Sequence, residues 1–134
     1  MKTICLLGAV ALISGCAATD SAATQARAAA YSVELDKALA GKVAGKPQSC
    51  INIRNAYSTQ QIGDRTILYK VSNKLVYRND PQGGCSGLGR DRALVTRLYS
   101  SQLCRGDIVT PTDLTTGFSG GSCPLGDFVP YRVN

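Results

Sequence analysis

Thr66-Ile67-Leu68-Tyr69-Lys70-Val71, the turn Ser72-Asn73-Lys74, and Leu75-Val76-Tyr77 decide the fold class. Both apolar runs are rich in β-branched and aromatic residues, which suit a pleated, half-buried surface. The three residues between them are polar, and Asn73 is a residue type that tolerates a left-handed turn conformation. This reads as an antiparallel hairpin. Working outward, Ile51 and Ile53 alternate with Asn52 and Arg54, and Ile62-Gly63-Asp64-Arg65 reads as a turn or strand connection. Asn79 to Gly84 is loop. Arg90 to Tyr99 fits a helix face through Leu94 and Leu98, but β-branched Val95 and Thr96 favour a strand. Ile108-Val109-Thr110 is another short strand, stopped by Pro111. Thr112 to Ser122 is mostly Thr, Gly and Ser and reads as a mobile surface loop, and Leu125 to Val133 closes the domain with Phe128, Val129 and Tyr131 as packing candidates. Half a dozen short strands predict a mainly β domain over residues 47–134, a small antiparallel barrel or roll.

Upstream the composition changes. Residues 17–30 hold eight alanines and little to bury, the composition of a flexible tether, disordered or weakly helical. Residues 32–40 suit a short helix ending near Gly41, or equally an extended arm. Gly45-Lys46-Pro47 punctuates the start of the β-rich domain.

Met1-Lys2-Thr3 is a short basic start, Ile4 to Ile13 carries no charge, and Ile13-Ser14-Gly15-Cys16 ends the run. A basic segment, an apolar core and small residues before a cleavage point form a secretory signal pattern over residues 1–15. The apolar run is about half of the roughly 20 residues that a membrane-spanning helix needs. Cysteine at the first position after cleavage resembles the lipobox of bacterial lipoproteins, which implies acylation of Cys16. Two or more acyl chains anchor a protein stably, at about 0.8 kcal/mol per buried CH₂. Ala17, rather than an aspartate, follows the cysteine. By resemblance to enteric lipoproteins, this implies the outer membrane, with residues 16–46 tethering the domain in the periplasm.

That compartment changes how charge and cysteines are read. Without residues 1–15 the chain keeps 14 basic and nine acidic side chains, a net of +5. In a cytoplasmic protein this balance would point to nucleic acid. Behind a secretory signal the polyanions within reach are lipopolysaccharide, phospholipid head groups and the cell wall, so nucleic acid is not an expected partner. Cys50, Cys85, Cys104 and Cys123 form an even set in an oxidising compartment and imply two disulfides. The chain has no histidine and no C-x-x-C pair, so a zinc site is not expected. Four cysteines allow three connectivities. Cys85–Cys104 nested inside Cys50–Cys123 is the expected one, because it would join the opening strand of the domain to its closing one.

Cys50-Ile51, Asp64-Arg65-Thr66-Ile67-Leu68, Cys85-Ser86-Gly87-Leu88-Gly89, Leu103-Cys104 with Asp107-Ile108, and Cys123-Pro124-Leu125-Gly126-Asp127-Phe128 occur in this order. Together they resemble a family of uncharacterised bacterial lipoproteins defined only as a domain of unknown function. The resemblance covers about residues 48–130. It implies a shared fold and a periplasmic setting, and it brings no activity, cofactor or catalytic residue.

The chemistry available is narrow. Absence of histidine excludes Ser-His-Asp and Cys-His nucleophile systems, and no cysteine is left over for thiol catalysis. Carboxylates remain: Asp64, Asp80, Asp91, Asp107, Asp113 and Asp127 lie in the domain, and two of them about 5–9 Å apart would suit a glycosidase. Asp64 and Asp80 sit at turn positions, and Asp107 and Asp127 follow glycines, where aspartate serves its own backbone. Gly87-Leu88-Gly89 lacks the third glycine and the strand-to-helix setting of a dinucleotide loop. Arg90, Arg92, Arg97 and Arg105 form the densest cationic cluster and are the candidate patch for an anionic ligand. The expected function is a non-enzymatic, lipid-anchored module of the envelope that contacts lipopolysaccharide, peptidoglycan or an envelope protein. The alternative is a carboxylate-dependent hydrolase of wall glycans, with no cofactor expected in either case.

Overall fold

The computed structural model describes residues 17–89 and 91–134. The expected signal segment, Cys16 and Arg90 lie outside them. Among the described residues one α-helix, α1 (Ala17–Ala38), precedes ten strands: β1 (Val43–Ala44), β2 (Cys50–Asn52), β3 (Ser58–Ile62), β4 (Thr66–Ser72), β5 (Leu75–Asn79), β6 (Ala93–Thr96), β7 (Gln102–Cys104), β8 (Ile108–Thr112), β9 (Cys123–Pro124) and β10 (Phe128–Arg132). The strands pair antiparallel in three sheets, ordered β1-β10-β5-β4-β3, β2-β7 and β6-β8-β9. The fold is therefore mainly β and disulfide-stapled, an open roll of sheets in which no barrel closes.

The hairpin at the centre forms as its sequence predicts, β4 against β5, with Tyr69 opposite Tyr77. Its turn differs. No non-glycine residue among those described has a positive φ. Instead Ser72 pairs with Leu75 after a register shift at Lys70/Ser72, and the Lys74 N–H donates to Ser72 Oγ at 3.2 Å. A serine hydroxyl thus does the work expected of a left-handed asparagine.

β4 is buried on both faces, from Thr66 through Tyr69. Ile67 and Tyr69 point into the larger core with Phe128, Ile51, Leu103, Val109 and Leu125. Leu68 points the other way, with Ile62 and Val76, onto Leu35, Ala38 and Leu39 at the end of the helix. Full burial of each such side chain contributes about 1.5–3 kcal/mol. The five-stranded sheet is thus the middle layer, between the helix end and the two small sheets.

Residues 17–30, expected as a tether, form one continuous helix with 31–38. Alanine is the residue least costly to hold in a helix, so a run too apolar-poor to pack still suits helical backbone. Gly41, at φ 71°, turns the chain away after the last turn. The C-terminal part of the helix packs on the sheet, while residues 21–33 are exposed, with Tyr31 reaching the β3–β4 turn. Gly63, at φ 58° in the β3–β4 turn, is where Tyr31 seats: a Cβ there would lie 2.6 Å from the tyrosine ring.

The disulfides are Cys50–Cys104 and Cys85–Cys123, which corrects the nested pairing. β2 pairs with β7, not with the closing strand, and the register puts Cys50 directly opposite Cys104, Cα–Cα 4.0 Å. Cys85 follows β5 in the loop that passes β9, where Cys123 lies 5.3 Å away, Cα to Cα.

Pro111 does not stop its strand. β8 continues to Thr112, and the Pro111 carbonyl accepts the Gly120 N–H at 2.7 Å. A residue's N–H and C=O point to the same neighbour in an antiparallel ladder, so the missing N–H costs no bond to β6. Residues 112–122, expected as a loose loop, fold back on the sheet. Asp113 Oδ1 accepts the N–H groups of Thr115 and Thr116, and Thr112 bridges to Ser119.

Candidate functional site

A cleft of about 920 Å³ lies between α1 and one end of the five-stranded sheet. The helix contributes Arg27 and Tyr31, the β3–β4 turn contributes Asp64 and Arg65, and the end of β5 contributes Arg78 and Asp80. The seating of Tyr31 on Gly63 fixes one wall against the other. Three guanidinium groups face two carboxylates, so the cleft carries a net positive charge.

Its acidic groups are already engaged. Asp80 Oδ1 accepts from Thr66 Oγ1 at 2.7 Å and from Arg78 Nε at 3.1 Å, and Oδ2 pairs with Arg78 Nη2 at 2.9 Å. This is the two-pronged arginine–carboxylate geometry that favours both charges. Partial burial pulls the Arg78 guanidinium downward, but the hydrogen bond and charge of Asp80, helped by Tyr131, hold it above its ordinary value. Asp64 sits 3.8 Å from Arg65, with both side chains largely exposed, a weak pairing. Arg27 is presented from the exposed helix face.

The described members of the arginine cluster read from the sequence each meet a different neighbour. Arg92 packs 5.9 Å over the Phe118 ring, and its carbonyl accepts from Gln61 Nε2 at 2.6 Å. Arg105 pairs with Asp127 at 3.5 Å. Arg97 lines a second, smaller groove with Tyr99 and Asp107. Arg90 lies outside the described residues. The arginines of the cleft come from three separate elements, so sequence proximity could not reveal them. The one available signal was helical propensity through residues 17–30, which turns Arg27 from a tether residue into a wall.

Asp107 and Asp113 serve the backbone. Asp107 Oδ2 accepts the Cys104 N–H at 2.7 Å. The N–H groups of Thr116 and Thr115 hold the Asp113 carboxyl below its ordinary value, outweighing the opposing desolvation. Among the described residues no three of His, Cys, Asp and Glu gather as a metal would require, and no helix is long and apolar enough to cross a membrane. Compared with protein-family models, with curated proteins and with solved structures, the chain matches none.

Proposed function

We propose that the chain is a non-enzymatic module of the bacterial envelope, acylated at Cys16 on the outer membrane, whose cleft holds an anionic head group. The observation that carries this is the position of the cleft on α1. The described helix reaches back to Ala17, the residue after Cys16 in the sequence, and the cleft is lined from Thr24 to Leu35. At 1.5 Å per residue this wall begins roughly 10 Å and ends roughly 27 Å along the helix from Ala17. Arg27 lies near the lower end of that span, where the phosphates of the anchoring leaflet are within reach. The resemblance to uncharacterised lipoproteins supports the same setting. The hydrolase reading is weaker, because both Asp80 oxygens are occupied by Arg78 and Thr66 and cannot exchange protons with a substrate without breaking that network.

Two measurements test this. In cells, wild-type chain should fractionate with the outer membrane and carry acyl mass on Cys16, while Cys16→Ser should be released with the soluble periplasm. In vitro, the non-acylated Cys16→Ser chain should sediment with phosphatidylglycerol vesicles at low salt. High salt, or the double change Arg27→Ala/Arg65→Ala, should abolish this. Retention that ignores both salt and the arginines would overturn the head-group reading.

A further inference from the structure

The outer face of the β6-β8-β9 sheet differs in chemistry from the cleft at the helix. In β8 the odd residues Val109 and Pro111 are buried, and the even residues Ile108, Thr110 and Thr112 face out. The register sets Val95 beside Thr110, and Val95 and Ile108 are each about half exposed. Returning chain doubles the row of hydroxyls: Thr110 Oγ1 lies 3.1 Å from Ser122 Oγ, and Thr112 Oγ1 lies 3.2 Å from Ser119 Oγ. Arg97, Tyr99 and Asp107 wall this face into a groove of about 570 Å³. Tyr99 is wholly exposed and contributes nothing to the core.

We infer that this groove binds a neutral glycan strand. Each part matches a need of a pyranose chain. Hydroxyls that both donate and accept suit sugar hydroxyls, and half-exposed Val95 and Ile108 offer apolar spots to the C–H faces. Tyr99 presents an amphipathic ring, able to stack on a ring face and keep its O–H wet. Arg97 and Asp107 cancel in charge, so the groove has no bias toward an anion, unlike the cleft at the helix. A protein partner would call for a larger and drier apolar centre. This inference rests on the reading of the chain as an envelope binding module, but not on the cleft.

The test uses the full acylated chain in detergent micelles, titrated with a β-1,4-linked N-acetylglucosamine tetramer. Wild-type protein should bind saturably, and Tyr99→Ala should weaken binding at least about tenfold, the loss of a single stacking anchor. Thr110→Val, which keeps shape and strand propensity, should weaken it several-fold. Arg27→Ala should leave it unchanged, and all three variants should melt with wild type, because these positions lie outside the core. No binding by wild type up to about 10 mM tetramer, or undiminished binding by Tyr99→Ala, would overturn the glycan groove. Failure of the Cys16→Ser chain with its cleft arginines intact to bind the vesicles even at low salt, with tetramer binding retained, would instead overturn the head-group cleft and leave the groove standing.

Discussion

Asn79 and Gly126, 47 residues apart, exchange two hydrogen bonds: the Gly126 N–H donates to Asn79 Oδ1 at 3.1 Å, and Asn79 Nδ2 donates to the Gly126 carbonyl at 2.7 Å. The same Nδ2 lies 3.3 Å from the Asp127 carbonyl, and Asn79 is fully buried. A side chain at the end of β5 thereby satisfies the backbone of the turn entering β10. Gly126 is held so close that a Cβ would collide with the Asp80 carbonyl.

Replacing Asn79 by leucine should therefore destabilise the domain although it adds apolar volume. The Gly126 N–H and C=O would be left buried without partners, at about 1–3 kcal/mol for each group. A loss of about 2–4 kcal/mol is expected in urea unfolding, with Gly126→Ala at least as severe for steric reasons. An Asn79→Leu chain as stable as wild type would show that the pair is not what closes this turn.

The disulfides predict a second, graded result. Cysteine separations of 54 and 38 residues give nearly equal loop-closure contributions, about 4 kcal/mol each. Packing distinguishes them, since Cys85 and Cys123 belong to the larger core and Cys50 and Cys104 are half-buried. Cys85→Ala/Cys123→Ala should thus lower the melting temperature more than Cys50→Ala/Cys104→Ala. Peptide mapping of the unreduced chain should recover Cys50 joined to Cys104.

Docking of the helix can be tested at Gly63. An alanine there meets the Tyr31 ring and must also hold φ 58°, a conformation costly for a residue with a Cβ. Gly63→Ala should loosen α1 from the sheet and speed tryptic cleavage at Arg27. Tyr31→Ala in the same background should add little, because the contact is already lost. The sheet, built on β4 and β5, should keep most of its hydrogen-exchange protection.

The central hairpin was legible because residues 66–77 carry their signal locally, in β-branched content and a polar turn. The strand in 90–99 was legible through Val95 and Thr96 for the same reason. What escaped depends on partners distant in sequence. Cys50 pairs with Cys104 because β2 lies beside β7, a register no spacing rule encodes. Pro111 stays in its strand because Gly120 happens to face its carbonyl. The arginines of the cleft escaped for a simpler reason: Arg27, Arg65 and Arg78 belong to three elements, whereas the clustered Arg92, Arg97 and Arg105 are turned to different neighbours. Asp64, read as a turn residue, does occupy one, whereas Asp80 precedes the turn closed by Pro81 and Gly84 and bonds Thr66 and Arg78; both line the cleft.

Tyr69 offers a pH test of the larger core. Its ring packs against Phe128 with centroids 5.7 Å apart, and its buried hydroxyl has no hydrogen-bond partner among the described residues. Desolvation pushes the phenol well above its ordinary value. An unfolded tyrosine loses its proton near pH 10, whereas the folded one keeps it to higher pH. Above about pH 10 the unfolded state binds fewer protons than the folded state, so stability falls as pH rises. Tyr69→Phe removes both the unpaired O–H and this titration. At pH 8 it should match or exceed wild type by about 1 kcal/mol, because no hydrogen bond is lost and a buried polar group is removed. Between about pH 10 and 12 its margin should widen, measured as the difference in urea midpoint between the two proteins. A Tyr69→Phe chain less stable than wild type at pH 8 would mean that the hydroxyl has a partner, such as an internal water. A margin independent of pH would mean that the phenol titrates alike in both states.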